Sequence, residues 1–281
     1  MSSKFYLSAF ADEIDPSLDV QMDVLDHFGI KHIEMRGVNG KNLTEYSLDE
    51  VRDIKRQLVK RGFRLSAIGS PIGKIGIIDN FEPHLAKFKH TLKIAEIMEV
   101  KYIRMFSFYI PKGEAPEKYR EEVLDRWNAF IRAAEGTGVT LLHENEKDIY
   151  GDTPERCLDL LKSLNSTQVR LTFDPANFVQ CDVETYPKAY EMLKDYIEYM
   201  HIKDALYANH QVVPAGLGDG RVKDILDALK KSGFVGFLSL EPHLGNFVGF
   251  SDLEKNAADA DLPDGGPRLF GVAYNALKAL L

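Results

Sequence analysis

A single (β/α)8 barrel is the fold this sequence predicts, and three observations predict it. Eight short runs rich in β-branched and aromatic residues recur along 281 residues. Helical periodicity fills most of the intervals between them, which is the pattern of parallel βαβ units. The length also suits one barrel, a fold that typically takes about 250 residues. A doubly wound open sheet is the rival, but eight evenly spaced units favour closure.

The strand segments in order are Phe5–Phe10, Lys31–Arg36, Arg64–Ile68, Tyr102–Phe108, Val139–Glu144, Val169–Asp174, Ile197–Lys203 and Phe234–Glu241. After the second, LDEVRDIKRQLVKRG spaces its apolar residues near 3.6, and Gly62 supplies a helix stop. After the fourth, YREEVLDRWNAFIRAAEGTG does the same and ends at Gly136. RVKDILDALKKSG follows the seventh and ends at Gly233, and LFGVAYNALKALL closes the chain. No low-complexity linker divides residues 1–281, so one domain is expected. The longest irregular stretch, Gly245–Pro267, is rich in Asp, Gly and Asn. A loop of that length in a compact domain is expected to be functional, here a flap over the barrel mouth.

Composition narrows the function. Hydrophobic residues make up 44% and charged residues 28%, as in soluble globular chains. The formal net charge of −8 argues against a nucleic-acid partner, which wants a basic face. No apolar run approaches the length of a membrane span, and the start MSSKFYLSAFADEID turns acidic before a signal region forms. Cys157 and Cys181 are the only cysteines, too few and too far apart for a disulfide framework or a zinc knuckle. A reducing cytoplasm is expected. A homo-oligomer is compatible with the chain.

The last four strands each end on a residue that can bind a metal. These are Glu144 in VTLLHEN, Asp174 in VRLTFDPAN, His201 in YMHIKD and Glu241 in FLSLEPH. Side chains alternate along a strand. If these four point inward, His143, Phe173, Met200 and Leu240 point outward to the helices, and all but His143 are apolar as that layer requires. Chemistry in this fold sits at the C-terminal strand ends, so four adjacent strands deliver three carboxylates and one imidazole to one spot. That donor set suits one divalent ion, with Mn²⁺ preferred and Mg²⁺, Co²⁺ or Zn²⁺ as the alternatives, and does not suit a structural thiolate site. One such residue alone reads as a solvated charge or an ion pair; four at successive equivalent positions read as a site. Glu146 shares the parity of Glu144 and is the rival fifth-strand ligand.

These segments resemble a known family. HEN at 143–145, FDPANF at 173–178, YMHIKDA at 199–205 and PAGLGDGRVKDILDALKKSGFVGFLSLEPH at 214–243 look like the xylose-isomerase-like, AP-endonuclease-family-2 superfamily, which includes ketose 3-epimerases and inosose dehydratases. The resemblance implies metal ligation by Glu144, Asp174, His201 and Glu241, with Glu144 and Glu241 as the catalytic acid/base pair. It implies a sugar or polyol substrate, isomerised or epimerised by glutamate proton transfer through a metal-bound enediolate. An inosose-type polyol dehydratase on the same site is the alternative. Two positions depart from the family's epimerases: Tyr150 stands where their second glutamate would be, and Asn177 stands where they often carry histidine. Both weigh against ketohexose epimerisation specifically. The nuclease branch needs three zinc ions, more histidine ligands and a basic DNA face. A non-catalytic sugar-binding module on the same barrel is the remaining reading.

Around this set stand candidate substrate contacts. Lys203 has the parity of His201 and reads either as a hand on a substrate hydroxyl or carboxylate, or as a solvated lysine. Arg104 shares a strand face with Phe106, and an inward arginine either grips an anionic group bidentately or closes a structural ion pair. Glu34 is a candidate acceptor for a sugar hydroxyl, and Asn177 and His210 are candidate substrate contacts beside it. His243 lies in the loop after the last strand, and Asp204 is placed to orient a ligand from behind. Gly216–Gly220 opens the helix after strand seven, where backbone amides can cradle phosphate, although a tight turn needs the same glycines.

Overall fold

A computed structural model describes residues 3–244 and 265–281. Eight parallel strands close into a barrel: β1 (Lys4–Ala9), β2 (His32–Met35), β3 (Arg64–Gly69), β4 (Tyr102–Met105), β5 (Thr140–Glu144), β6 (Val169–Phe173), β7 (Ile197–Ile202) and β8 (Val235–Leu240). Each strand pairs with its sequence neighbours, and β8 returns to β1 in register from Lys4↔Val235 to Ala9↔Leu240. All eight expected strands are present. Of the expected flap Gly245–Pro267, residues 245–264 lie outside the described residues.

The fourth strand stops earlier than the sequence predicts. Beyond Met105 the backbone leaves β5 and bonds the loop after β3 instead, through Phe106 N to Ile72 O at 2.8 Å and Phe108 N to Gly73 O at 3.0 Å. That crossing needs Gly73, because a Cβ there would lie 2.1 Å from the Phe106 carbonyl oxygen.

The main surrounding helices are α1 (Leu18–His27), α2 (Leu48–Lys60), α3 (Glu82–Met98), α4 (Arg120–Ala134), α5 (Pro154–Leu164), α6 (Pro175–Val179), α7 (Tyr190–Leu193), α8 (Val222–Ser232) and α9 (Gly266–Leu280). Local sequence fixes their ends. Ser47 and Glu50 form a reciprocal capping box at the start of α2, and Gly233 takes the left-handed conformation, φ 77°, that ends α8. Among the described residues no helix is long and apolar enough to cross a membrane.

The main core lies between strands and helices, where Phe63, Phe88, Trp127, Phe130 and Phe173 are fully buried. Each such side chain contributes roughly 1.5–3 kcal/mol by leaving water. A smaller cluster holds Ala67, Leu142 and Tyr199, with Tyr102 and Phe237 against it. The Tyr199 hydroxyl is satisfied by Ser66 at 2.8 Å, and Ser66 by Ser8 at 2.5 Å.

His143 is the outward exception noted in the sequence, and the structure accounts for it. Its Nε2 lies 3.0 Å from Ser107 Oγ and its ring meets Trp127 edge-on at 5.7 Å. Burial pushes its pKa down to about 3, and burial likewise pushes His84 down to about 4, where His84 Nε2 accepts the Gly73 N–H at 2.7 Å. The unfolded chain therefore takes up these protons first, near pH 6.5, and the folded chain only near 4 and 3. Stability present above 6.5 should fall as pH drops below it, by roughly 1.4 kcal/mol per pH unit per histidine. Melting curves between pH 6.5 and about 5, above the range where carboxylates titrate, should show this slope. His143→Gln should remove its share, about half, and leave that of His84; an unchanged slope would remove His143 as a source.

Candidate metal centre

Four strand ends build the centre. Glu144 is the last residue of β5, and His201 lies inside β7 opposite Ser239 of β8. Asp174 follows β6 as the N-cap of α6, where its Oδ1 accepts the Asn177 N–H at 2.9 Å. Glu241 follows β8 directly. All four are buried, and one ligand atom from each lies within 4.8 Å of the others. His201 Nδ1 is 2.9 Å from Glu144 Oε1, 3.5 Å from Glu241 Oε2 and 3.6 Å from Asp174 Oδ2.

The side chains behind this set hold it in place. Both Glu34 oxygens lie against His201 Nε2, at 3.1 and 3.2 Å, and Glu34 is fully buried. Glu34, which the sequence suggests for a sugar hydroxyl, sets its carboxylate against the imidazole. Asn177, a candidate substrate contact, also lies against the ligand set. Its Nδ2 donates to Glu144 Oε1 at 3.1 Å and to the Asn145 carbonyl at 3.0 Å. Asn145 clasps the Asp174 backbone, donating to its carbonyl and accepting its N–H, both at 2.9 Å.

Two cations complete the wall. Lys203 is buried, not solvated, and its Nζ lies 2.6 Å from Glu241 Oε2 and 3.0 Å from Asp174 Oδ2. Arg36 Nη1 approaches the other Glu241 oxygen at 3.3 Å, while Asp12 receives its Nε at 2.7 Å and Glu13 its Nη2 at 3.0 Å. Burial alone would raise the Glu241 pKa, but Lys203, then His201, His243 and Arg36, hold it well below the usual carboxylate range. Burial would lower His201, yet Glu144 and Glu34 hold it well above the usual histidine range.

The donor set fits a divalent ion. Glu34, Glu144, Asp174 and Glu241 converge on only two permanent cations within the cluster, Lys203 and Arg104, because Arg36 is shared with Asp12 and Glu13. Glu144 Oε2 and Asp174 Oδ2 are buried and face only those cations, Arg104 Nε at 3.3 Å and Lys203 Nζ at 3.0 Å. Four buried carboxylates against two permanent cations leave a shortage of positive charge that a divalent ion would make up. Glu13, Glu241 and His243 form a second ligand-type group, but the Arg36 guanidinium already sits between Glu13 and Glu241.

Other expected contacts fall elsewhere. His210 pairs with Asp182 at 2.9 Å, and its carbonyl accepts from Gln180; its described contacts do not include the cluster. The amides of Gly216, Gly218 and Gly220 do receive an anion, but it is the carboxylate of Asp204, at 3.0, 3.1 and 2.7 Å. Those three donors are unavailable to phosphate, and Asp204 organises this loop, not a metal ligand. Glu146, the rival ligand, pairs with Lys74 at 3.1 Å outside the four-residue group. Tyr150 donates its hydroxyl to Asp159 at 2.7 Å.

The chain belongs to the xylose isomerase-like TIM barrel family, whose pattern matches residues 22–261. No curated protein matches the sequence. Solved structures share the fold. The IOLI protein with a bound zinc atom superposes with TM-score 0.74 at 18% identity, covering 100% of this chain and 98% of that one. The probable 3-DHS dehydratase AsbF from Bacillus anthracis gives 0.74 at 15%, with 98% of each chain covered. D-psicose 3-epimerase from Clostridium cellulolyticum H10, solved with D-tagatose, gives 0.71 at 18%, again with 98% of each covered. At these identities the likeness carries the fold alone.

Proposed function

We propose that this chain is a metal-dependent isomerase or epimerase of a sugar or sugar derivative, with Glu144 and Glu241 as its proton-transfer pair. The observation that carries the reading is the convergence of Glu144, Asp174, His201 and Glu241, buried, in a cluster whose four carboxylates, Glu34 included, outnumber its two permanent cations. Those four side chains would hold the ion. When bound, it would supply Lewis acidity toward a substrate carbonyl and so acidify the adjacent C–H.

The protein's own groups do the rest. The environments of the two glutamates differ, as acid and base roles require. Glu241 is held ionised by Lys203 and Arg36, ready to accept a proton. Glu144 has one oxygen fixed by His201 and Asn177, while Oε2 makes no hydrogen bond. Proton return to the other face of the same carbon epimerises, and return to the neighbouring carbon isomerises. Loss of a hydroxyl from the next carbon after the same proton removal would make the enzyme a polyol dehydratase.

The direct test is metal content. Purified protein reconstituted separately with Mn²⁺, Mg²⁺, Co²⁺ and Zn²⁺, then gel-filtered, should retain close to one ion per chain, and a chelator should remove it. Retention of none would overturn the reading, and three zinc ions per chain would favour the nuclease branch.

A further inference from the structure

We propose that the substrate carries a carboxylate and that the Arg104 guanidinium receives it, which makes the substrate a sugar acid or a carboxylated polyol and not a neutral sugar. This rests on the metal-centre reading above and names the substrate class for that site.

Arg104 lies within β4, beside Leu142 and thus next to the strand end that carries Glu144. It is only 4% exposed, and guanidinium does not lose its charge in proteins. A buried permanent charge should be well hydrogen-bonded, yet among the described residues its side chain donates no hydrogen bond. Its two ion-pair contacts are both made by Nε, at 3.3 Å to Glu144 Oε2 and 3.8 Å to Glu34 Oε1, and Nε itself is a buried atom without a hydrogen bond. Among the described residues the Nη1/Nη2 edge donates no hydrogen bond. That edge matches a carboxylate in bidentate geometry.

The surroundings hold the group ready. The guanidinium lies 4.5 Å from the Phe106 ring centroid and 5.3 Å from that of Phe10. Strand β3 gives it room with Gly69, where a Cβ would lie 3.3 Å from Arg104 Nη2 and 2.7 Å from the Phe10 ring. Lys74 Nζ sits 4.3 Å from the same Phe106 ring, its charge met by Glu146 at 3.1 Å, so Arg104 is the cation proposed to receive the carboxylate. Phosphate is the other anion a guanidinium takes, but the glycine amides after β7 that could help seat it are spent on Asp204.

Calorimetric titration of Mn²⁺-loaded protein with matched pairs tests this, using D-gluconate against D-glucitol and D-glucuronate against D-glucose. Each acid should bind more tightly than its neutral partner by roughly 10- to 100-fold, the range of a hydrogen bond to a charged group. Arg104→Gln should erase the difference, and Arg104→Lys, which keeps the charge, should retain part of it. Equal binding within the pairs, a preference that survives Arg104→Gln, or no binding of either acid to the wild type would overturn the proposal. So would tighter binding of D-glucose 6-phosphate than of both acids. Metal content is measured first on the same samples. Failure to load an ion sinks the metal-centre reading, and the carboxylate proposal with it; loading without acid preference sinks the carboxylate alone.

Discussion

Glu241→Gln protein, loaded with metal, is expected to turn over substrate roughly 10²- to 10⁴-fold more slowly than wild type, the usual cost of losing a general acid or base. The substitution keeps the shape and one ligand oxygen but removes the charge that Lys203 and Arg36 surround at 2.6 and 3.3 Å. It also leaves buried Lys203 and half-buried Arg36 without that carboxylate, so ion content and melting temperature are measured on the same sample. With the ion retained, solvent deuterium should enter the substrate's α position with wild type and hardly at all with the variant. A fully active, metal-loaded variant would leave Glu241 a ligand at most. Wild-type turnover without solvent exchange would point to a shielded proton or a hydride shift.

The barrel was legible in the sequence because its signal is local. Runs such as VTLLHE and IEYMHI carry strand composition, and the helices between them carry period and stop residues. The four candidate ligands were legible for a related reason: each stands at or next to the C-terminal end of its strand, and closure brings those ends together. Their supports were not. Arg36 reaches Glu241 across 205 residues, held by Asp12 and Glu13 from the first loop, and no spacing rule encodes that contact. Asn145 escaped for a different reason. It lies past the end of β5, where strand alternation no longer says which way a side chain points.

The inward polar residues share one feature. Glu34, Asn177 and Asp204 each read from the sequence as facing a ligand or the metal, and each makes hydrogen bonds within the fold. Parity places a polar side chain inward, but burial then obliges it to find a hydrogen bond, and the nearest groups are the protein's own. Lys203 shows the converse: its burial between Asp174 and Glu241 depends on charges supplied by two other strand ends.

Glu34 gives the sharpest test of that distinction. Its carboxylate accepts from His201 Nε2, while Nδ1, which lies 2.9 Å from Glu144 Oε1 with Asp174 and Glu241 beyond, would give up its proton to ligate an ion. A carboxylate behind a ligating histidine fixes its tautomer and ring orientation, and losing such a partner typically costs 10- to 100-fold in metal affinity, so a loss of about that size is expected for Glu34→Ala. Glu34→Gln keeps an acceptor oxygen without the charge, so its affinity should fall between wild type and alanine. Titration of Mn²⁺ into the three metal-free proteins reads the order directly. If Glu34 instead binds a sugar hydroxyl, as its place on β2 first suggests, both variants will load Mn²⁺ like wild type and the change will appear as a raised KM. Unaltered Mn²⁺ affinity in Glu34→Ala would therefore overturn the histidine-orienting role.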